Sequence, residues 1–151
     1  MEKNQTEEEE KATLHTTSHP TPPRTLSEKS IITHLPSVEA FYHILQHNSG
    51  LVLIKFTADW CGPCKRIKPA VDAFFAQSPD SVICMSLKIE ENMEIYTYLK
   101  KKQMVAGIPT ILAYKKGNTN FMSDACVIGS DARQLHEFMK TCNRMHATLR
   151  P

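Results

Sequence analysis

Two cysteines stand three positions apart in the stretch KFTADWCGPCKRIKP, Lys55 to Pro69, with Gly62 and Pro63 between them. Thiols at this spacing hold a metal, close a structural disulfide or exchange electrons as a reactive dithiol. A structural zinc site needs four ligands, usually from two paired clusters. Downstream there is no second C-x-x-C and no pair of histidines at zinc spacing, and Cys84, Cys126 and Cys142 each stand alone. No metal is expected. A permanent bridge belongs to an oxidising compartment. The N-terminus is acidic from Glu7 to Glu10 and lacks an apolar signal segment, and five widely spaced cysteines do not form a disulfide framework. The expectation is a cytoplasmic chain in which Cys61 and Cys64 work as a redox pair.

That chemistry needs a thiolate, and a helix N-terminus supplies the field for one. Its unpaired N–H groups and partial positive charge stabilise an anion, and thiolates placed there ionise at about pH 7 or below rather than near 8.5. Pro63 suits a first helical turn because its missing N–H would be unpaired there in any case. Lys65, Arg66 and Lys68 add positive charge. On this reading Cys61 is the nucleophile. Cys64, one turn in and less exposed, attacks the mixed disulfide formed at Cys61.

The flanking elements must hold that turn in place. Upstream, LVLIKFT is apolar on both faces except for Lys55, as in a buried central strand. Lys55 is therefore expected to be buried or to snorkel toward the cysteines. Downstream, Ile67, Ala70, Val71, Phe74 and Phe75 recur at helical spacing until Ser78-Pro79-Asp80 ends the helix. Before this unit, SIITHL reads as a short strand, and Val38, Phe41, Tyr42 and Leu45 form an amphipathic helical stripe ended at Asn48-Ser49-Gly50. After it come the strand SVICMSLKI and a helix with Met93, Tyr96 and Leu99 facing inward. The strands TILAYKK and FMSDACVI follow, separated by a turn at Lys116-Gly117-Asn118. Gly129 breaks the chain, and Ser130 caps a last helix carrying Leu135, Phe138, Met139 and Cys142. The order β-α-β-α-β-α-β-β-α implies an α/β fold, a mixed central sheet with helices on both faces.

Residues 1–29 are polar, with three prolines within four positions, and read as a disordered tail. The globular domain is expected over 30–146, with 147–151 a short C-terminal tail. A net charge of +2 does not suggest nucleic-acid binding, and the longest wholly aliphatic run is too short for a membrane span. Cys84 reads as a buried, inert thiol, and Cys126 and Cys142 read as packed thiols, with a regulatory role as the competing reading. The methionines read as core filling, and Lys100 to Lys102 as a solvated face.

From about Ser30 to Arg144 the chain resembles the thioredoxin family. The resemblance lies in ADWCGPCK, in Pro69, in GIPTIL with Pro109, and in Gly117 and Gly129. It implies a thioredoxin-like fold and a thiol–disulfide oxidoreductase acting on protein disulfides. The implied electron source is a thioredoxin reductase or similar donor, and the implied state is a monomer without cofactor. It implies a cis Ile108–Pro109 bond facing the cysteines, with Ile108 binding the substrate backbone and Pro109 packing on the sulfurs. Trp60 and Gly129 would border the substrate groove. The competing reading is a binding module that keeps the fold with little redox turnover. Two features depart from the family pattern. The segment from Asn92 to Pro109 is about one helical turn longer, and Lys55 replaces a buried Asp. A charged Lys55 would favour nearby thiolates, and a neutral amine could act as base for Cys64. A Lys55 that reaches solvent and pairs with Asp59 would do neither.

Overall fold

The computed structural model describes residues 28–148; most of the expected N-terminal tail and the end of the C-terminal one lie outside them. The chain runs β1 (Ile31–Ile32), α1 (Val38–Gln46), β2 (Leu51–Thr57), α2 (Gly62–Gln77) and β3 (Val82–Lys88). A 3₁₀ turn (Ile89–Glu91), α3 (Met93–Lys101), β4 (Thr110–Lys115), β5 (Ala125–Ile128) and α4 (Ala132–Ala147) complete it. The sheet order is β1-β3-β2-β4-β5. β3 pairs in parallel with β1 and β2, whereas β4 is antiparallel to both β2 and β5. This is the expected mixed sheet, and β2 lies at its centre.

Strand alternation divides β2 between two cores. Val52, Ile54 and Phe56 join Phe41 and Leu45 of α1 and Ile95 and Leu99 of α3. Leu51 and Leu53 join Ile67, Val71 and Phe75 of α2 and Leu135, Phe138 and Cys142 of α4. Burying one such large side chain contributes roughly 1.5–3 kcal/mol. Lys55 shares the parity of Leu51 and Leu53, so it points to the α2 and α4 side, level with Ser86 of β3 and Ile111 of β4.

Local signals set the element ends. The Ser37 hydroxyl accepts the N–H of Ala40 and starts α1. The break before β2 has two causes. The buried Asn48 side chain accepts the N–H of Gly50 and donates to the carbonyl of Tyr114. In addition, a Cβ on Gly50 would meet the Ser81 carbonyl oxygen at 2.6 Å. The side chain of Lys29, immediately before the expected domain start, donates to the carbonyls of Pro79 and Val82 at the entry to β3.

Several local expectations need correction. α4 is capped by Asp131, which accepts the N–H of Gln134, and not by Ser130. On α3, Met93 is 53% exposed while Ile95 is buried. Positions 93 and 95 lie about 200° apart around a helix, so one stripe cannot hold both, and Ile95 with Leu99 makes the inward row. Ala70 of α2 faces solvent, leaving Ile67, Val71 and Phe75 as the buried row. Cys126 is exposed because α4 covers only the Val127 side of the edge strand β5. Met122, like Met93, is exposed rather than core filling. Lys100 and Lys102 do face outward, but their ammonium groups lie over the rings of Tyr96, Tyr98 and Phe121.

The segment after the 3₁₀ turn is tied down by Asn92, 2% exposed. Its Oδ1 accepts the N–H of Leu35 at 2.7 Å, and its Nδ2 donates to the carbonyls of Thr33 and Lys88. No helix among the described residues is long and apolar enough to cross a membrane.

Candidate active site

β2 ends at Thr57, and four residues later Cys61 caps α2 with its own side chain. The N–H of Cys64 is directed at Sγ of Cys61 over 3.2 Å, and the N–H of Lys65 donates to the Cys61 carbonyl. Pro63 occupies the first turn, which carries no acidic side chain. A sulfur at Cys61 thus stands among helix N-terminal donors, and the first helical turn sets no carboxylate against a negative charge there.

Cys61 and Cys64 are joined as a disulfide with Cα atoms 5.3 Å apart. The expected difference in exposure is absent in this bonded form, since Cys61 is 5% and Cys64 4% exposed. Both cysteines sit in one small cluster with Ala58, against which Ile89 and Ile108 pack.

A second loop meets the pair from the start of β4. The Ile108–Pro109 peptide is cis, and the Pro109 carbonyl accepts the N–H of Gly129 at 2.9 Å. Gly129 has φ +90°, which a side chain would strain. Gly62 is exposed, Pro63 half-buried and Pro109 buried. Trp60 is 67% exposed, and its Nε1 donates to Glu90 on the 3₁₀ turn. Arg66 of α2 donates to the Ser130 hydroxyl, just past Gly129. The structure thus brings Trp60, Cys61, Cys64, Ile108, Pro109 and Gly129 to one end of the sheet.

Lys55 is buried, and it does not pair with Asp59. Asp59 is held by Lys88 at 3.0 Å, and Lys55 Nζ lies 4.0 Å from the carboxylate of Asp72. Asp72 also binds Lys68 one turn earlier on α2, at 2.7 Å. Burial lowers the pKa of Lys55, Asp72 works against that shift, and Lys68 adds to it. Asp72 and Glu90 were not legible as parts of this neighbourhood. The Lys68–Asp72 spacing signals a helical pair, but the approach of Asp72 to Lys55 depends on how α2 lies on β2.

The thioredoxin family model matches residues 32–141. The chain belongs to the thioredoxin family. It is 32% identical over 87 residues to Thioredoxin-2 of Saccharomyces cerevisiae, covering 58% of this chain and 79% of that protein. It is 38% identical over 69 residues to a Pseudomonas aeruginosa thioredoxin, covering 46% of this chain and 60% of that protein. The crystal structure of thioredoxin from Trypanosoma brucei brucei has a TM-score of 0.59 and 24% identity, covering 81% of this chain and 99% of that one, a likeness of fold. Thioredoxins are thiol–disulfide oxidoreductases. The bonded Cys61–Cys64 pair supports that activity here and does not favour a binding module without turnover.

Proposed function

We propose that the chain reduces or exchanges protein disulfides through Cys61 and Cys64 as a cytoplasmic thioredoxin. The Cys61 thiolate attacks one sulfur of the substrate disulfide. That S–S bond breaks, the second substrate sulfur leaves as a thiolate, and a mixed disulfide joins Cys61 to the substrate. The Cys64 thiolate then attacks Cys61, releases the first substrate sulfur and closes the Cys61–Cys64 bond. Two electrons pass to the substrate. A thioredoxin reductase or similar dithiol donor restores the pair.

The observation that carries this reading is the Cys64 N–H aimed at Cys61 Sγ in a first turn free of acidic side chains. Ile108, Pro109, Gly129 and Trp60 are assigned to the substrate groove, supported by the packing of Ile108 on the pair, the bond from the Gly129 N–H to the Pro109 carbonyl next to it, and the exposure of Trp60 beside Cys61. Cytoplasmic location is supported by three cysteines left as thiols outside the pair. The reaction as written needs one copy of the chain, so a monomer suffices. The test is reduction of a disulfide-bonded protein such as insulin, with dithiothreitol as donor. Wild type should accelerate it, and Cys61→Ser should fall to the uncatalysed rate. Equal rates for the two proteins would overturn the proposal.

A further inference from the structure

β2 carries one charged side chain into the interior, behind the redox pair. Lys55 is 4% exposed and lines, together with Cys64, a cleft of about 690 Å³. Charged groups reach this cleft from each of its walls. Asp59 comes from the loop after β2, Lys65 and Lys68 from α2, Lys88 from β3 and Glu91 from the 3₁₀ turn. Several neutralise one another, since Lys88 binds Asp59 and Lys68 binds Asp72 at 2.7 Å. Lys55 has the weaker claim on Asp72, at 4.0 Å, and Asp72 is half exposed to water. Its ammonium is therefore poorly balanced while the cysteines are joined.

We propose that Lys55 is a positioning residue for the dithiol equilibrium, acting through Cys64 from the shared cleft to stabilise the thiolate and so favour the reduced protein. The inference rests on reading Cys61 and Cys64 as the redox couple. The disulfide carries no charge for the ammonium to meet, whereas a thiolate does, so the attraction acts on one side of the equilibrium. Against glutathione, two glutathione thiols supply two electrons and two protons, giving one glutathione disulfide and the dithiol. Where one cysteine stays a thiolate, its proton goes to solvent. Away from bulk water the attraction between the two charges is less screened, and an incompletely paired buried ammonium gains most from a new partner.

The experiment is equilibration of the full chain with mixtures of glutathione and glutathione disulfide, the oxidised fraction being read by mass after acid quenching. Lys55→Met keeps the length of the side chain and removes its charge. It should shift the equilibrium constant about tenfold toward the disulfide, about 30 mV for a two-electron couple. Lys55→Arg keeps the charge and should stay within about threefold of wild type. The thiolate absorbance near 240 nm should appear at higher pH in reduced Lys55→Met than in wild type. A Lys55→Met constant within twofold of wild type would overturn the proposal. So would equal shifts in the Met and Arg variants, which would mark packing rather than charge. A lysine that only relays the Cys64 proton, holding it in neither end state, would change the rate of disulfide closure and leave the constant unmoved, and that outcome also counts against the proposal. This readout needs no protein substrate. Failure of wild type to reduce protein disulfides would sink the proposed function alone, and an unresponsive constant would sink the assignment of Lys55 alone.

Discussion

The backbone N–H of Cys64 and the sulfur of Cys61 face each other over 3.2 Å. This contact makes Cys61 both the helix cap and the chemically favoured thiol. Cys84 and Cys142 are in the opposite condition, 1% and 0% exposed, and burial raises both their pKa values. Brief alkylation of the reduced native protein with iodoacetamide at neutral pH should therefore modify Cys61 first. Exposed Cys126 should follow. Cys84 and Cys142 should react at least about tenfold more slowly, because the thiolate is the nucleophile, and should catch up only in denaturant. Peptide mass spectrometry reads the order. Early labelling of Cys84 or Cys142 would contradict the described packing.

The same burial makes the fold sensitive to alkali. The thiol of Cys142 is pushed up to about 12 from an ordinary 9.0 by burial, with Cys84 adding in the same direction. The hydroxyl of Tyr42 is pushed up to about 12 by burial and by its hydrogen bond with Tyr98. Each group is held neutral in the fold and ionises earlier in the unfolded chain. For Cys142 that support is complete below about pH 9 and is lost between about pH 9 and 12, at up to roughly 1.4 kcal/mol per pH unit. Lys55 runs the other way. Its pKa is lowered by burial, so its contribution becomes more favourable as pH rises through the folded value toward the ordinary 10.5. Urea unfolding at pH 7, 9 and 10 should show stability declining at the alkaline end. Cys142→Ala should be less stable at pH 7 by about 1 kcal/mol but decline less steeply. Parallel slopes would refute the role given to Cys142.

Asn92 offers a test of the fold away from the sulfurs. Replacing it with Ala removes the acceptor for the Leu35 N–H and the donor for the carbonyls of Thr33 and Lys88. Buried backbone groups left unpaired cost about 1–3 kcal/mol. Asn92→Ala should lose about that much in urea unfolding while its folded fraction keeps near wild-type disulfide reductase activity. A loss under about 0.5 kcal/mol would show that water replaces these bonds.

The elements were legible where apolar spacing was regular. The run Leu51–Thr57 marked β2, and Ile67, Val71 and Phe75 marked α2, because covered strands and one-sided helices impose those patterns. The cysteine pair was legible because its partners are three residues apart and its cap is local. Lys55 was legible as a buried charge, but its partner was not. Asp72 lies seventeen positions away on another element, and only the packing of α2 over β2 brings them together. Asn92 was missed for a similar reason, since its worth lies in backbone groups contributed by Thr33 and Leu35, more than fifty positions earlier. Cys126 was misjudged because burial on an edge strand depends on which face a helix covers, and β5 alone does not reveal that α4 lies over Val127.

The division of labour between the two cysteines can be measured directly. Cys64→Ser, reduced and mixed with a disulfide-bonded protein of known sequence, should stop at a covalent complex. Intact mass and peptide mapping should place the bond at Cys61, and dithiothreitol should release both partners. Wild type should pass through the same complex and accumulate none of it. A bond mapped to Cys126, or a Cys64→Ser protein that turns over as fast as wild type, would contradict the account.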